Sequence, residues 1–170
     1  NETYSPTFEL SSDALKYISK LAKSNKWNLI YKPHPLMDKI GSIDKSSKIS
    51  SNIFYVRDVN INELIDMSDV VVSMISGVTY IALTRGKPIV ELAHTPLKGK
   101  GCCYEVNLIE EIESIITKSI KDGLTEDQKR MFIYHIAQVC KNYYFDDLSV
   151  RTIRYGRSRN EAVNLIEEYI

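Results

Sequence analysis

The sequence predicts an open α/β fold, a parallel sheet with helices on both faces and further helices at the C-terminal end. Three observations carry that expectation. Val70-Val71-Val72 and Ile89-Val90-Glu91-Leu92 are short runs rich in β-branched residues, the pattern of strands buried on both faces. Between them Ser76-Gly77 opens a short helical pattern through Val78, Ile81 and Ala82. Arg85-Gly86-Lys87-Pro88 closes it, because Gly86 suits a left-handed C-terminal position and Pro88 cannot continue a helix. Helical stripes and short apolar runs also alternate along the rest of the chain. A strand, helix and strand in that order need a crossover connection, which pairs the strands in parallel and defines a Rossmann-like layout.

In order, Ser11 or Ser12 is expected to cap a helix with Ala14, Leu15, Ile18, Leu21 and Ala22 on one face, ending near Ser24-Asn25. Trp27 to Tyr31 reads as a strand, followed by Lys32-Pro33-His34-Pro35, where two prolines impose an extended loop. Residues 36–52 are polar and read as surface loop. Ile53 to Val56 is a strand, and Asn60 with Glu63 resembles a capping box for a short helix through Leu64, Ile65 and Met67. The strand-helix-strand unit follows, its two strands expected to be central. After the turn-rich AHTPLKGKG segment, Cys102 to Val106 reads as an edge strand. Asn107 with Glu110, Thr125 with Gln128 and Ser158 with Glu161 mark three further helix starts. The whole reads as one domain, residues 1–170. Its start on a polar stub and helix, without a leading strand, suggests a piece of a longer protein.

Composition narrows the partners. The chain has 170 residues with 22 Lys plus Arg against 22 Asp plus Glu, so net charge gives no reason to expect nucleic acid. No apolar run is long enough to span a membrane. Three cysteines, two of them adjacent, fit free thiols of a reducing cytoplasm, and Cys102-Cys103 lacks the spacing of a metal site. His135 reads as a surface or partly buried residue of its helix. The cluster Arg151, Arg154, Arg157 and Arg159 is either solvated surface or a basic face drawn to the anionic inner side of a membrane.

Two stretches can carry chemistry, both at carboxyl ends of expected strands, where open α/β sheets bind ligands. Lys32 offers a fixed charge and His34 a hydrogen bond to a phosphate, with the prolines limiting their motion. The plainer reading is a rigid turn. In the second stretch Ser73, Ser76, Gly77, Val78 and Thr79 bring backbone amides to a helix start, an anion-binding arrangement or simply a capped helix. His94, in the loop after the second strand of the unit, faces the same expected crevice.

Taken together, Lys32 to Pro35, Ile75-Ser76-Gly77, Ala82-Leu83, Gly86-Lys87-Pro88 and Lys98 to Tyr104 resemble the carboxyl-terminal nucleotide-binding half of GT-B glycosyltransferases. The likeness is to the bacterial capsule polysaccharide synthesis family, which includes capsular Kdo transferases, and it spans about residues 12 to 145. It implies a GT-B half-domain and a nucleotide-sugar donor, cytidine-linked in preference to uridine-linked, as the only cofactor-like ligand, with no metal. It also implies a glycan or glycolipid acceptor, an N-terminal domain outside this sequence, no transfer by this fragment alone, and a cytoplasmic site at the inner membrane face. With the neighbours of those motifs at the expected crevice included, the residues expected to meet the donor are Lys32, His34, Ser73, Ser76, Gly77, Val78, Thr79 and His94. Ile75 and Ile81 depart from the family pattern, which has a polar residue at the first place and often an acidic one at the second. Teichoic-acid-type CDP-glycerol polymerases share the layout, and a GT-B-like module without catalysis is the remaining alternative.

Overall fold

The computed structural model describes residues 5–33 and 52–143. The sequence's Lys-Pro-His-Pro loop is therefore described only through Pro33. His34, the Arg151–Arg159 cluster and the helix expected after Ser158 lie outside the described residues.

The elements alternate as the sequence pattern requires. Helix α1 is Ser11–Asn25, strand β1 Leu29–Tyr31, strand β2 Ile53–Tyr55 and helix α2 Ile61–Met67. Strand β3 Val71–Ser73, helix α3 Val78–Thr84 and strand β4 Ile89–Glu91 form the strand-helix-strand unit. Strand β5 Tyr104–Glu105, a 3₁₀ turn at Ile109–Glu111, helix α4 Ile112–Asp122 and helix α5 Glu126–Tyr143 complete the described chain. Every strand pairing is parallel, in two ladders: β1 with β2, and β3-β4-β5 with β4 in the middle. β4 is thus central, whereas β3 closes one side of its ladder.

Side-chain alternation divides the interior into two layers. Val90 and Leu92 of β4 pack with Phe8, Ala14 and Ile18 around α1 and with Ile112 and Ile116 of α4, joined by Leu29, Val70 and Val72. Ile89 points the other way, packing with Ile65 of α2, Ala82 and Leu83 of α3 and Phe132 of α5, together with Val71. An apolar run without alternation is what a strand covered on both faces requires. The parallel sheet with helices on both faces is therefore the observed fold.

Local signals set most helix ends, not always through the residues the sequence suggests. Neither Ser11 nor Ser12 caps α1, whose N-cap is Leu10 with no side-chain hydrogen bond. Asn60 does cap α2, accepting from the Asn62 amide at 3.0 Å. Thr125 and Gln128 form the reciprocal box at α5, with bonds of 3.0 and 3.2 Å. At the 3₁₀ turn the reaching carboxylate is Glu111, not Glu110, accepting from the amides of Asn107 and Leu108. The left-handed position at Gly86 is as expected, with φ +73°. The Gly86 amide bonds to the Leu83 carbonyl and the Lys87 amide to the Ala82 carbonyl, satisfying two acceptors left over at the end of α3.

His135 is more deeply placed than its helical context suggests, at 9% exposure. Its Nε2 lies 3.3 Å from the Tyr80 hydroxyl, joining α5 to α3. Burial, helped by the charge of Lys100, lowers its pKa below the ordinary 6.5. A depressed histidine pKa contributes stability that is full above the unfolded value and lost as pH falls through the folded one. Thermal denaturation should accordingly show the stability advantage of wild type over His135→Gln shrinking as pH falls below 6.5. Ile89 is fully buried between the α2, α3 and α5 layer and its own strand neighbours. Ile89→Ala should cost about 2–5 kcal/mol in denaturant unfolding.

Candidate functional site

The three-stranded ladder ends in a polar row. Parallel register pairs Ser73 with Glu91 and Glu91 with Glu105, so these three side chains stand side by side on one face at the carboxyl edge. Ser73 is two residues beyond Val71 and shares its face. It is 7% exposed, and its hydroxyl has no hydrogen-bond partner among the described residues.

From Ser73 the chain turns into α3. Ser76 Oγ accepts from the Val78 amide at 3.2 Å, and the Ser76 carbonyl accepts from the Thr79 amide at 3.3 Å and the Thr79 hydroxyl at 2.9 Å. The side chains of Ser76 and Thr79 therefore build the turn, while that of Val78 packs inward. At the end of this turn the amides of Ser76 and Gly77 have no acceptor among the described residues. Adding a Cβ at Gly77 would meet nothing within 4 Å, so the space before the turn is open. The flanking Ile75 is 60% exposed, an apolar surface beside those donors.

The other expected residues sit around this edge to different degrees. His94 is exposed in the loop three residues after Glu91. Lys32 follows β1, in the other ladder, and its amine donates to the Arg57 carbonyl. That bond uses one of three ammonium protons. Ser73 through Thr79 are brought together by one turn, and His94 lies in the loop after β4, the strand that pairs with β3.

Glu91 was not among the residues the sequence singled out. It is 1% exposed at the end of the most buried strand, and both its oxygens face the Thr95 hydroxyl, at 2.8 and 2.7 Å. Burial raises its pKa above the ordinary 4.5, opposed by the Thr95 bond and reinforced by Glu105. Glu105 is better supplied, accepting from the Gly99 amide at 2.6 Å and lying 3.5 Å from the Lys98 amine. The available signal was an acidic residue between two residues of a wholly apolar run.

Cys102 and Cys103 are buried with their sulfurs 4.0 Å apart. Cys103, donating to Cys102 and buried beside Glu91 and Glu105, has its pKa pushed up, which suits packing and not nucleophilic chemistry. Among the described residues no three His, Cys, Asp or Glu side chains come together as metal ligands, and no helix is long and apolar enough to cross a membrane.

A parallel sheet with helices on both faces places this chain in the class of Rossmann-like α/β domains. The family profile described as capsule polysaccharide biosynthesis protein matches residues 6–144, and the chain belongs to that family. Its work accordingly lies in capsule polysaccharide synthesis, with sugars or glycans as the substrates such work implies. No curated protein and no solved structure matches the chain.

The division of labour at the turn can be measured. Ser76→Ala removes the hydroxyl that caps α3 and should cost about 1 kcal/mol in chemical denaturation. The amides of Ser76 and Gly77 survive the change.

Proposed function

We propose that this chain is the donor-binding domain of a capsule polysaccharide glycosyltransferase, taking a nucleotide-activated sugar whose phosphate lies before the β3–α3 turn. The observation that carries the reading is the pair of uncommitted amides at Ser76 and Gly77, on the carboxyl edge of a parallel sheet in a capsule-synthesis chain. Backbone donors held by a folded turn need no reorganisation to stabilise charge on a departing nucleotide.

In this reading Lys32 and His34 add positive charge and hydrogen bonds from the neighbouring loop, Ser73 supplies a hydroxyl, and Val78 and Thr79 shape the turn. His94 approaches from the loop after β4. The donor is a nucleotide sugar, cytidine-linked in preference to uridine-linked, with Kdo as the leading candidate sugar. The acceptor is a glycan or glycolipid at the inner membrane face. Transfer then requires a further, N-terminal domain, and the 170-residue chain alone binds without turnover. No metal is called on, because amides and basic side chains carry the phosphate charge.

The exposed Ile75 and Ile81 favour a second reading, a GT-B-like module that serves assembly without binding a donor. A glycerophosphotransferase of the teichoic-acid type would use the same phosphate-directed donors.

A thermal-shift series with cytidine and uridine nucleotides separates these readings. Saturating ligand at one hundred times its dissociation constant should stabilise the chain by about 2.7 kcal/mol. His34→Ala should weaken nucleotide binding about ten- to a hundred-fold with little change in melting temperature. The loss from Lys32→Ala should be reduced by salt. Reduced melting temperature with unchanged affinity in both variants would make Lys32-Pro33-His34-Pro35 a rigid turn and defeat the donor-site reading.

A further inference from the structure

Each parallel ladder has one strand edge that the described chain does not use. Leu29 donates its amide to the Asn52 carbonyl at 2.9 Å and Tyr31 accepts from the Val56 amide at 3.0 Å, so both turn their backbone groups toward β2. Val71 donates to the Pro88 carbonyl at 3.0 Å and Ser73 accepts from the Leu92 amide at 2.9 Å, so both face β4. Backbone groups alternate sides along a strand in a parallel ladder. Ile30 in β1 and Val72 in β3 therefore point theirs the opposite way, and among the described residues nothing bonds to those groups.

β1 and β3 nonetheless belong to one layered structure. Leu29, Val70 and Val72 all pack against the cluster that Ala14 and Ile18 of α1 help to form. On the opposite face Val71 packs with Ile65 of α2. Helices thus cover both faces of β3, yet Val71 and Val72 are only half-buried, as is all of β1, whereas every residue of β4 is buried. The difference is lateral: among the described residues β4 has a strand on each side, while β1 and β3 have one each. A Val-Val-Val run without a polar face suits the interior of a sheet and not its rim.

The path of the chain into α1 indicates what fits beside them. The Ser5 and Thr7 hydroxyls both donate to the Leu92 carbonyl at 2.9 Å, which holds the approach to α1 at the carboxyl edge. From there α1 leads to the start of β1. A strand parallel to β1 and β3 ends at that same edge. It would lead into Ser5 and make strand, α1 and β1 a crossover unit like β3–α3–β4. Residues 34–51 and 144–170 contain no run of three consecutive aliphatic residues to match Val70–Val72.

We propose that β1 and β3 border a strand-wide slot whose occupant is an apolar β-strand of the polypeptide preceding α1, inserted parallel to both and joining the two ladders into one sheet. Its backbone pairs with Ile30 on one side and Val72 on the other. Its carboxyl end emerges between Lys32 and the Ser73–Gly77 turn, where the strand order reverses and open α/β sheets take their ligands. The slot is a property of the fold and does not rest on the donor-site reading.

Amide hydrogen exchange on the 170-residue chain tests the slot, and an N-terminal extension tests its occupant. In the unextended chain Ile30 and Val72 should exchange at least about tenfold faster, relative to intrinsic rates, than their paired neighbours Leu29 and Val71. That contrast should not change with protein concentration. Adding about six Val and Ile residues before Asn1, behind a short Lys lead for solubility, should slow Ile30 and Val72 about a hundredfold and raise the denaturation midpoint. A Pro-rich extension of the same length lacks amide donors and should do neither. Equal protection of the four amides in the unextended chain would overturn the slot, which stays testable in this way should the extended chain leave solution. Protection of Ile30 and Val72 that grows with concentration would give the slot to a second copy and overturn the occupant. Unchanged exchange of Ile30 and Val72 in a soluble extended chain, or an equal gain from the Pro-rich extension, would overturn it too.

Discussion

Burial of β4 on both faces is the constraint on which the rest of the described structure depends. Ile89 serves the layer made by α2, α3 and α5, while Val90 and Leu92 serve the layer made by α1 and α4. Each such side chain contributes about 1.5–3 kcal/mol on full burial. A strand covered on two sides has no face left for water, so its neighbours must be strands and its flanking connections must cross over as helices or long loops. The parallel pairings of β3 and β5 against it meet that requirement. All three strands then point the same way and end at one edge.

That edge is where the polar groups collect, for a reason internal to the fold. Strand interiors satisfy their own backbone donors, whereas turns leaving a parallel sheet do not. Some of the surplus is consumed by the protein: Ser5 and Thr7 each donate a hydroxyl to the Leu92 carbonyl at 2.9 Å, and Ser76 caps the turn it begins. Among the described residues some is not, as at the Ser76 and Gly77 amides and the Ser73 hydroxyl. A carboxyl buried at the same edge lowers stability at neutral pH relative to an apolar side chain of its size.

Membership of the capsule polysaccharide biosynthesis family and the geometry of the edge bear on each other. Under the proposed donor-binding reading a donor's phosphate would meet backbone amides, which recognise it without regard to the base or sugar attached to it. Ile75 in the turn and Ile81 on α3 are both exposed apolar side chains.

Layer architecture and parallel pairing were legible in the sequence, because a run such as Val70–Val72 or Ile89–Val90 has no polar face to offer and can only be sandwiched. Gly86 and the Thr125–Gln128 pair were legible for an equally local reason, since each concerns bonds within a few residues of itself. The turn at Ser76-Gly77 was found too, but its chemistry was not: composition cannot tell that the serine hydroxyl is committed to capping while the amides stay free. Caps proposed at Ser11 and Ser12 failed because the incoming chain is held elsewhere, by Ser5 and Thr7 on Leu92. Glu91 shows the limit most clearly. The sequence shows an acidic residue near the end of an apolar strand. That it is buried, flanked in register by Ser73 and Glu105, and supplied by a single hydroxyl depends on strands and loops distant in the chain. Periodicity reports which face of an element is apolar; only tertiary structure decides which polar groups meet at its end, because those meetings are set by register between separate strands.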